Sequence, residues 1–140
     1  MAQFNRVGVC GVFDGTLHEG HHNFLRVSKS YGVHLVVYLA PDSNIRQYKN
    51  REPLLHADKR KAQLLATNYV DEVVIMGENE AENSQFIAHN SLNLYCFGGD
   101  QTSEWNANLM ALLEKTGCII KRIPRYKDDL YSTTKLYFSD

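Results

Sequence analysis

Proline is scarce in this chain, at three residues (Pro41, Pro53 and Pro124), and so is cysteine, also three. With so little proline and no Gly-rich tract, no linker marks a point of division, and the sequence reads as one domain over 1–140. Cys10, Cys96 and Cys118 all lie inside apolar runs, which excludes a disulfide framework and points to buried thiols of a reduced, cytoplasmic protein. Neither sign of charge prevails, with 15 Lys and Arg against 16 Asp and Glu for a formal net charge of -1, so no basic field points to nucleic acid. No apolar run approaches the length of a membrane span, and the first residues lack a secretory pattern. Internal repeats and low-complexity stretches are missing too.

What the chain does have is an alternation of short apolar runs with helical periodicity. Residues 7–13 are uncharged and apolar or small, as in a strand buried on both faces of a parallel sheet. Asp14-Gly15 breaks that run, and 21–31 carries helical spacing with Phe24, Leu25 and Val27 apolar. Further strands are expected over 33–40, 72–76, 94–97 and 118–123, and helices over 57–68, 81–89 and 103–115. Strand and helix in repeated succession give an α/β fold, a Rossmann-like doubly wound domain with a five-stranded parallel sheet flanked by helices. The segment 42–56 reads as a long loop carrying Arg46, Lys49 and Arg51, and loops of that length in compact domains are often active-site loops.

His18 and His21 stand where the first strand ends and a helix begins, the place where open α/β sheets bind ligands and where free N–H groups favour a phosphate. His22 adds a third imidazole, but no cysteine or further carboxylate stands nearby at metal-ligand spacing, so a zinc site is not expected.

Gly11-Val12-Phe13-Asp14 followed by His18-Glu19-Gly20-His21 resembles the nucleotidyltransferases of the cytidylyltransferase type, whose signature is a Gly-x-Phe-Asp strand end and His-x-Gly-His. The glycerol-3-phosphate cytidylyltransferases are the most similar branch. The resemblance implies attack of an acceptor oxygen on the α-phosphorus of a nucleoside triphosphate, with pyrophosphate leaving and no covalent enzyme intermediate. It implies CTP, with ATP as the alternative, a small phosphorylated acceptor such as glycerol 3-phosphate, Mg²⁺ carried by the triphosphate, and a homodimer. A non-catalytic nucleotide-binding homologue of the same fold is the rival from another class.

By the same resemblance His18 and His21 stabilise the pentacoordinate phosphorus, and Lys49 and Arg51 close over the triphosphate. Gly11, Val12, Phe13 and Asp14 line the nucleotide, and Gly20 lets a phosphate approach the backbone. Asp100, in Gly99-Asp100, contacts nucleotide or acceptor, and Arg125 lies near the base. Tyr131-Ser132-Thr133-Thr134-Lys135-Leu136 resembles a second family motif, with Ser132 and Thr133 on the outer phosphates. Arg60 would serve the acceptor or a subunit contact, and 69–71 would be structural. Asn68 replaces a family arginine, and one extra residue between Asp14 and His18 requires a bulged turn that Gly15 makes feasible.

Overall fold

The computed structural model describes residues 4–99, 101 and 103–125. In chain order these form β1 (Phe4–Gly11), α1 (Glu19–Ser30), β2 (Gly32–Leu39), α2 (Asp42–Lys49), α3 (Ala57–Leu65), β3 (Glu72–Ile75), α4 (Glu80–Ala88), β4 (Leu94–Gly98), α5 (Glu104–Lys115) and β5 (Ile119–Ile123). The strands make one sheet in the order β3-β2-β1-β4-β5, and every pair is parallel. The expected Rossmann-like five-stranded fold is therefore present.

Side chains of β2 explain why its sequence shows no polar alternation. Leu35, Val37 and Leu39 pack with Leu25 of α1 and Leu64 of α3, while Val36 and Tyr38 pack with Ile87 of α4 and Leu109 and Leu113 of α5. All five strand residues are fully buried. Helices thus cover both faces, as a parallel sheet requires. The three cysteines are buried free thiols within this core, and among the described residues no helix is long and apolar enough to cross a membrane.

The chain reverses its winding between β1 and β4. These strands pair only at Val7–Leu94 and Gly8–Tyr95, so their carboxyl ends part. The amide of Gln101 bridges the gap, accepting from Gly98 N (2.7 Å) and donating to the Cys10 carbonyl (3.0 Å). A crevice at such a reversal is the general ligand site of open α/β sheets.

Three expectations need correction. The segment 42–56 is not all loop, since α2 occupies its first eight residues. Only Ile45 of α2 is buried, so no apolar stripe betrays the helix, which ends at Asn50 in the left-handed region (φ 54°). The first strand stops at Gly11 rather than at residue 13, because Phe13 takes a positive φ of 47°. Helix α3 ends at Leu65, three residues before Asn68, whose own φ of 68° is a left-handed position that asparagine tolerates better than arginine. As expected, 69–71 is structural: Val70 is buried, and Asp71 accepts from Leu35 N and pairs with Lys29.

Candidate active site

His18 is the N-cap of α1. Its Nδ1 accepts from the backbone N–H of Gly20 (3.1 Å) and of His21 (3.4 Å), while the backbone N–H of His18 donates to His21 Nδ1 (3.3 Å). This is a capping box written in histidine, with imidazole nitrogens in the places usually held by a hydroxyl and a glutamate. The cap also sets the rings. Their centroids lie 3.7 Å apart with planes 20° from parallel, so the two imidazoles are stacked on one side of the helix start. The structure thus brings the two rings together, with Nε2 of His18 buried.

Protonation follows from the same contacts. Burial lowers His21 to about 3, and the charges of His18 and His22 push the same way. His18 is lowered by burial and then by His22. Both rings are therefore neutral at neutral pH, and since each Nδ1 accepts, each proton sits on Nε2. The pair stands at a helix N-terminus, a place already favourable to negative charge.

A stability consequence can be checked. The unfolded chain binds a proton at His21 below about pH 6.5, which the folded chain refuses until pH nears 3. Stability from this residue is complete above that window and falls as pH drops through it, by about 1 kcal/mol per pH unit. Urea denaturation between about pH 6.5 and 5, above the carboxylate range, should show this slope in the native chain and a shallower one in His21→Gln. Equal slopes would contradict the assignment.

Phe13 supports the pair. Its buried ring meets His21 edge-on at 5.4 Å and folds back over Gly11, where a Cβ would lie 2.3 Å from a ring carbon. Gly11 is thus needed for this close approach, and the strain at Phe13 is of the sort found at functional sites. Gly15 bulges the following turn with φ 76°, as the spacing required. Gln63 of α3 fixes that turn by accepting from Leu17 N (3.2 Å) and donating to the Gly15 carbonyl (2.9 Å).

Asp14, expected to line the nucleotide, is held by three backbone N–H groups and Arg51. Its Oδ1 accepts from Gly15 N and Leu55 N, and its Oδ2 from Leu54 N and from Arg51 at 2.7 Å. Burial would raise this carboxyl, but the Leu54 N–H, Arg51 and the Leu55 N–H outweigh it and hold it below the usual carboxylate range. Asp14 therefore ties the segment 51–55 to the end of β1. Arg51 is held at that junction, whereas Lys49 is exposed at the end of α2.

Arg60 is a correction. It is fully buried, so it meets neither an acceptor nor a second subunit. Its guanidinium donates to the carbonyls of Leu55 (2.9 Å), Val12 (2.8 Å) and Ala40 (2.8 Å) and to Asp42 Oδ1 (2.8 Å). One side chain thus joins the ends of β1 and β2 to α2 and to the loop before α3. Arg125 lies beside Gly99 at the end of β4, with Arg122 closer still. Asp100, Ser132 and Thr133 lie outside the described residues. The roles of Gln63 and Gln101 were not visible in sequence, because a lone glutamine on a helix or in a loop reads as solvated.

A doubly wound parallel sheet whose winding reverses between β1 and β4, with paired neutral imidazoles at the start of the helix after β1, is the arrangement of the nucleotide-binding class of open α/β proteins. The family model described as cytidylyltransferase-like matches residues 9–137. A protein named FAD synthase from Pyrococcus abyssi is 36% identical over 134 residues, covering 94% of this chain and 88% of its own. Another of that name from Thermococcus kodakarensis is 38% identical over 134 residues with the same coverage. The solved structure of a lipopolysaccharide core biosynthesis protein from Thermoplasma volcanium covers 89% of this chain and 99% of its own at a TM-score of 0.71 and 31% identity. A pantothenate synthetase structure from Thermus thermophilus, at a TM-score of 0.52 and 14% identity over 94% of this chain and 61% of its own, shares the fold alone. The chain belongs to the cytidylyltransferase-like family of nucleotidyltransferases.

Proposed function

We propose that the protein transfers an adenylyl group from ATP to the phosphate of FMN, forming FAD and releasing pyrophosphate. The observation that supports nucleotidyl transfer is the stacked His18–His21 pair at the start of α1, each Nδ1 accepting from backbone N–H groups, in a chain of the cytidylyltransferase-like family. An acceptor phosphate oxygen attacks the α-phosphorus in line. A P–O bond forms, the bond to the bridging oxygen breaks, and the electron pair leaves with pyrophosphate. The two fixed rings stabilise charge that grows on the phosphoryl and bridging oxygens, without reorganising at the moment of reaction.

The choice of donor and acceptor rests on the relatives named FAD synthase, which span nearly the whole chain. It replaces the CTP and glycerol 3-phosphate favoured by the sequence motifs with the ATP alternative. Arg51, tied to Asp14 at the end of β1, and Lys49 at the end of α2 would meet the triphosphate, with Arg125 near the base. Ser132 and Thr133 would hold the outer phosphates. Mg²⁺ would ride on the triphosphate oxygens. The donor set fits this, because Asp14 and Asp42 are already engaged by arginines and no group of three His, Cys, Asp or Glu among the described residues could cage an ion. A homodimer is part of the same proposal, checked by light scattering.

The test is product analysis with Mg²⁺ in four arms, ATP or CTP with FMN or glycerol 3-phosphate. FAD and pyrophosphate in the ATP and FMN arm are expected. Turnover only with CTP would restore the cytidylyl reading, and nucleotide binding without turnover in any arm would favour the non-catalytic rival.

A further inference from the structure

Past Val7–Leu94 and Gly8–Tyr95 the pairing of β1 with β4 stops, and one side chain takes over from the ladder. Gln101 Oε1 accepts from Gly98 N at 2.7 Å, and its Nε2 donates to the Cys10 carbonyl at 3.0 Å. A carboxamide can do both because it carries an acceptor and a donor side by side. It joins an N–H of β4 to a carbonyl of β1 at the point where the winding reverses. The bridge uses one N–H and one lone pair, and the carboxamide has a second of each. Gln101 is half-buried, so its other side is open.

The bridge is braced from behind. The N–H of Gln101 returns to the Gly98 carbonyl (3.1 Å), and its own carbonyl accepts from Asn106 Nδ2 (3.0 Å). Asn106 Oδ1 accepts in turn from the Tyr95 hydroxyl at 2.9 Å. Asn106 is 2% exposed and Tyr95 is fully buried, so neither can exchange its partner for bulk water. A satisfied buried network of this kind is rigid, and it holds the backbone of Gln101 in one place.

Contacts along β1 place the bridge relative to the histidines. Cys10 precedes Gly11, over which the Phe13 ring folds, and that ring meets His21 at 5.4 Å. Strand β4 lies one strand spacing from β1, about 4.8 Å. A nucleotide with its phosphates at the start of α1, lying across the carboxyl ends at the reversal, passes over this bridge.

We infer that Gln101 is a positioning residue for the nucleoside of the donor nucleotide, an inference that rests on the transferase reading above. By tying the end of β1 to that of β4 it fixes the surface on which base and ribose rest. It acts through the two strand ends and not on the reacting phosphorus. Its loss should therefore weaken ATP while sparing both a bare polyphosphate and the acceptor.

The experiment compares the native chain with Gln101→Met, which keeps the length of the side chain and loses both bonds. Calorimetric titration with ATP and with inorganic tripolyphosphate, each with Mg²⁺, is paired with steady-state kinetics on ATP and FMN. Gln101→Met should weaken ATP about tenfold, leave tripolyphosphate unchanged, and raise the KM for ATP but not for FMN. Gln101→Glu keeps the acceptor for Gly98 N and loses the donor to Cys10. It should raise the KM for ATP alone as well, and it serves if the methionine variant does not fold. Asn79→Ala, which uncaps α4, is the control for general destabilisation and should lower the melting temperature with both KM values unchanged. Unchanged ATP binding, equal weakening of ATP and tripolyphosphate in Gln101→Met, or an equal rise in both KM values would overturn the inference while leaving the transferase reading intact. A native chain that neither turns over nor binds ATP would sink both.

Discussion

His18→Asn and His21→Gln should each lower turnover by about a hundredfold to ten-thousandfold while the fold survives. Both replacements are chosen for the cap. Asparagine is among the best N-cap residues and glutamine is a capping-box residue three positions on, so each can supply the acceptor that Nδ1 now provides. What is lost is the ring Nε2–H. Alanine would also remove the cap, at about 1 kcal/mol, and would mix a stability loss into the rate. Pyrophosphate release under saturating substrates, with urea denaturation on the same samples, separates the two effects. Near-native turnover in either variant would show that its ring does not serve the reacting phosphorus.

Arg60→Met should lower stability by about 3 kcal/mol, a large part of the total for a domain of this size. The change strips donors from the carbonyls of Leu55, Val12 and Ala40 and leaves Asp42 without its arginine. Removing one member of a buried pair is costly because the other stays behind without compensation. Asp42 is only partly buried, which lets water moderate the loss. Calorimetry should show a melting temperature lower by roughly 10 °C, and Asp42→Asn in the same background should add less than it does alone. A shift of a degree or two would mean that the four-way junction contributes little.

The strands were legible because burial on both faces writes itself as uninterrupted apolar runs, as 35–39 shows. The histidine pair was legible because its strand, turn and helix are contiguous in sequence. Helix α2 was not, since one buried residue makes no stripe. Arg60 was misread because the resemblance gave it to the acceptor or a subunit contact, and only the meeting of β1, β2 and α2 makes an interior place for it. Asp14 showed its position but not its partners, because Leu54 and Leu55 reach it from forty residues away through backbone N–H groups that any residue carries. The irregular spacing before His18 proved to be a local bulge at Gly15, as chain geometry demanded.

Proton positions on the two rings test the central claim most directly. Nitrogen-15 spectra of the imidazoles, recorded from neutral pH downward, should place a single proton on Nε2 of both His18 and His21. His21 should remain uncharged well below the ordinary imidazole range. A proton on Nδ1 of either ring, or an imidazolium at His21 at neutral pH, would contradict the account.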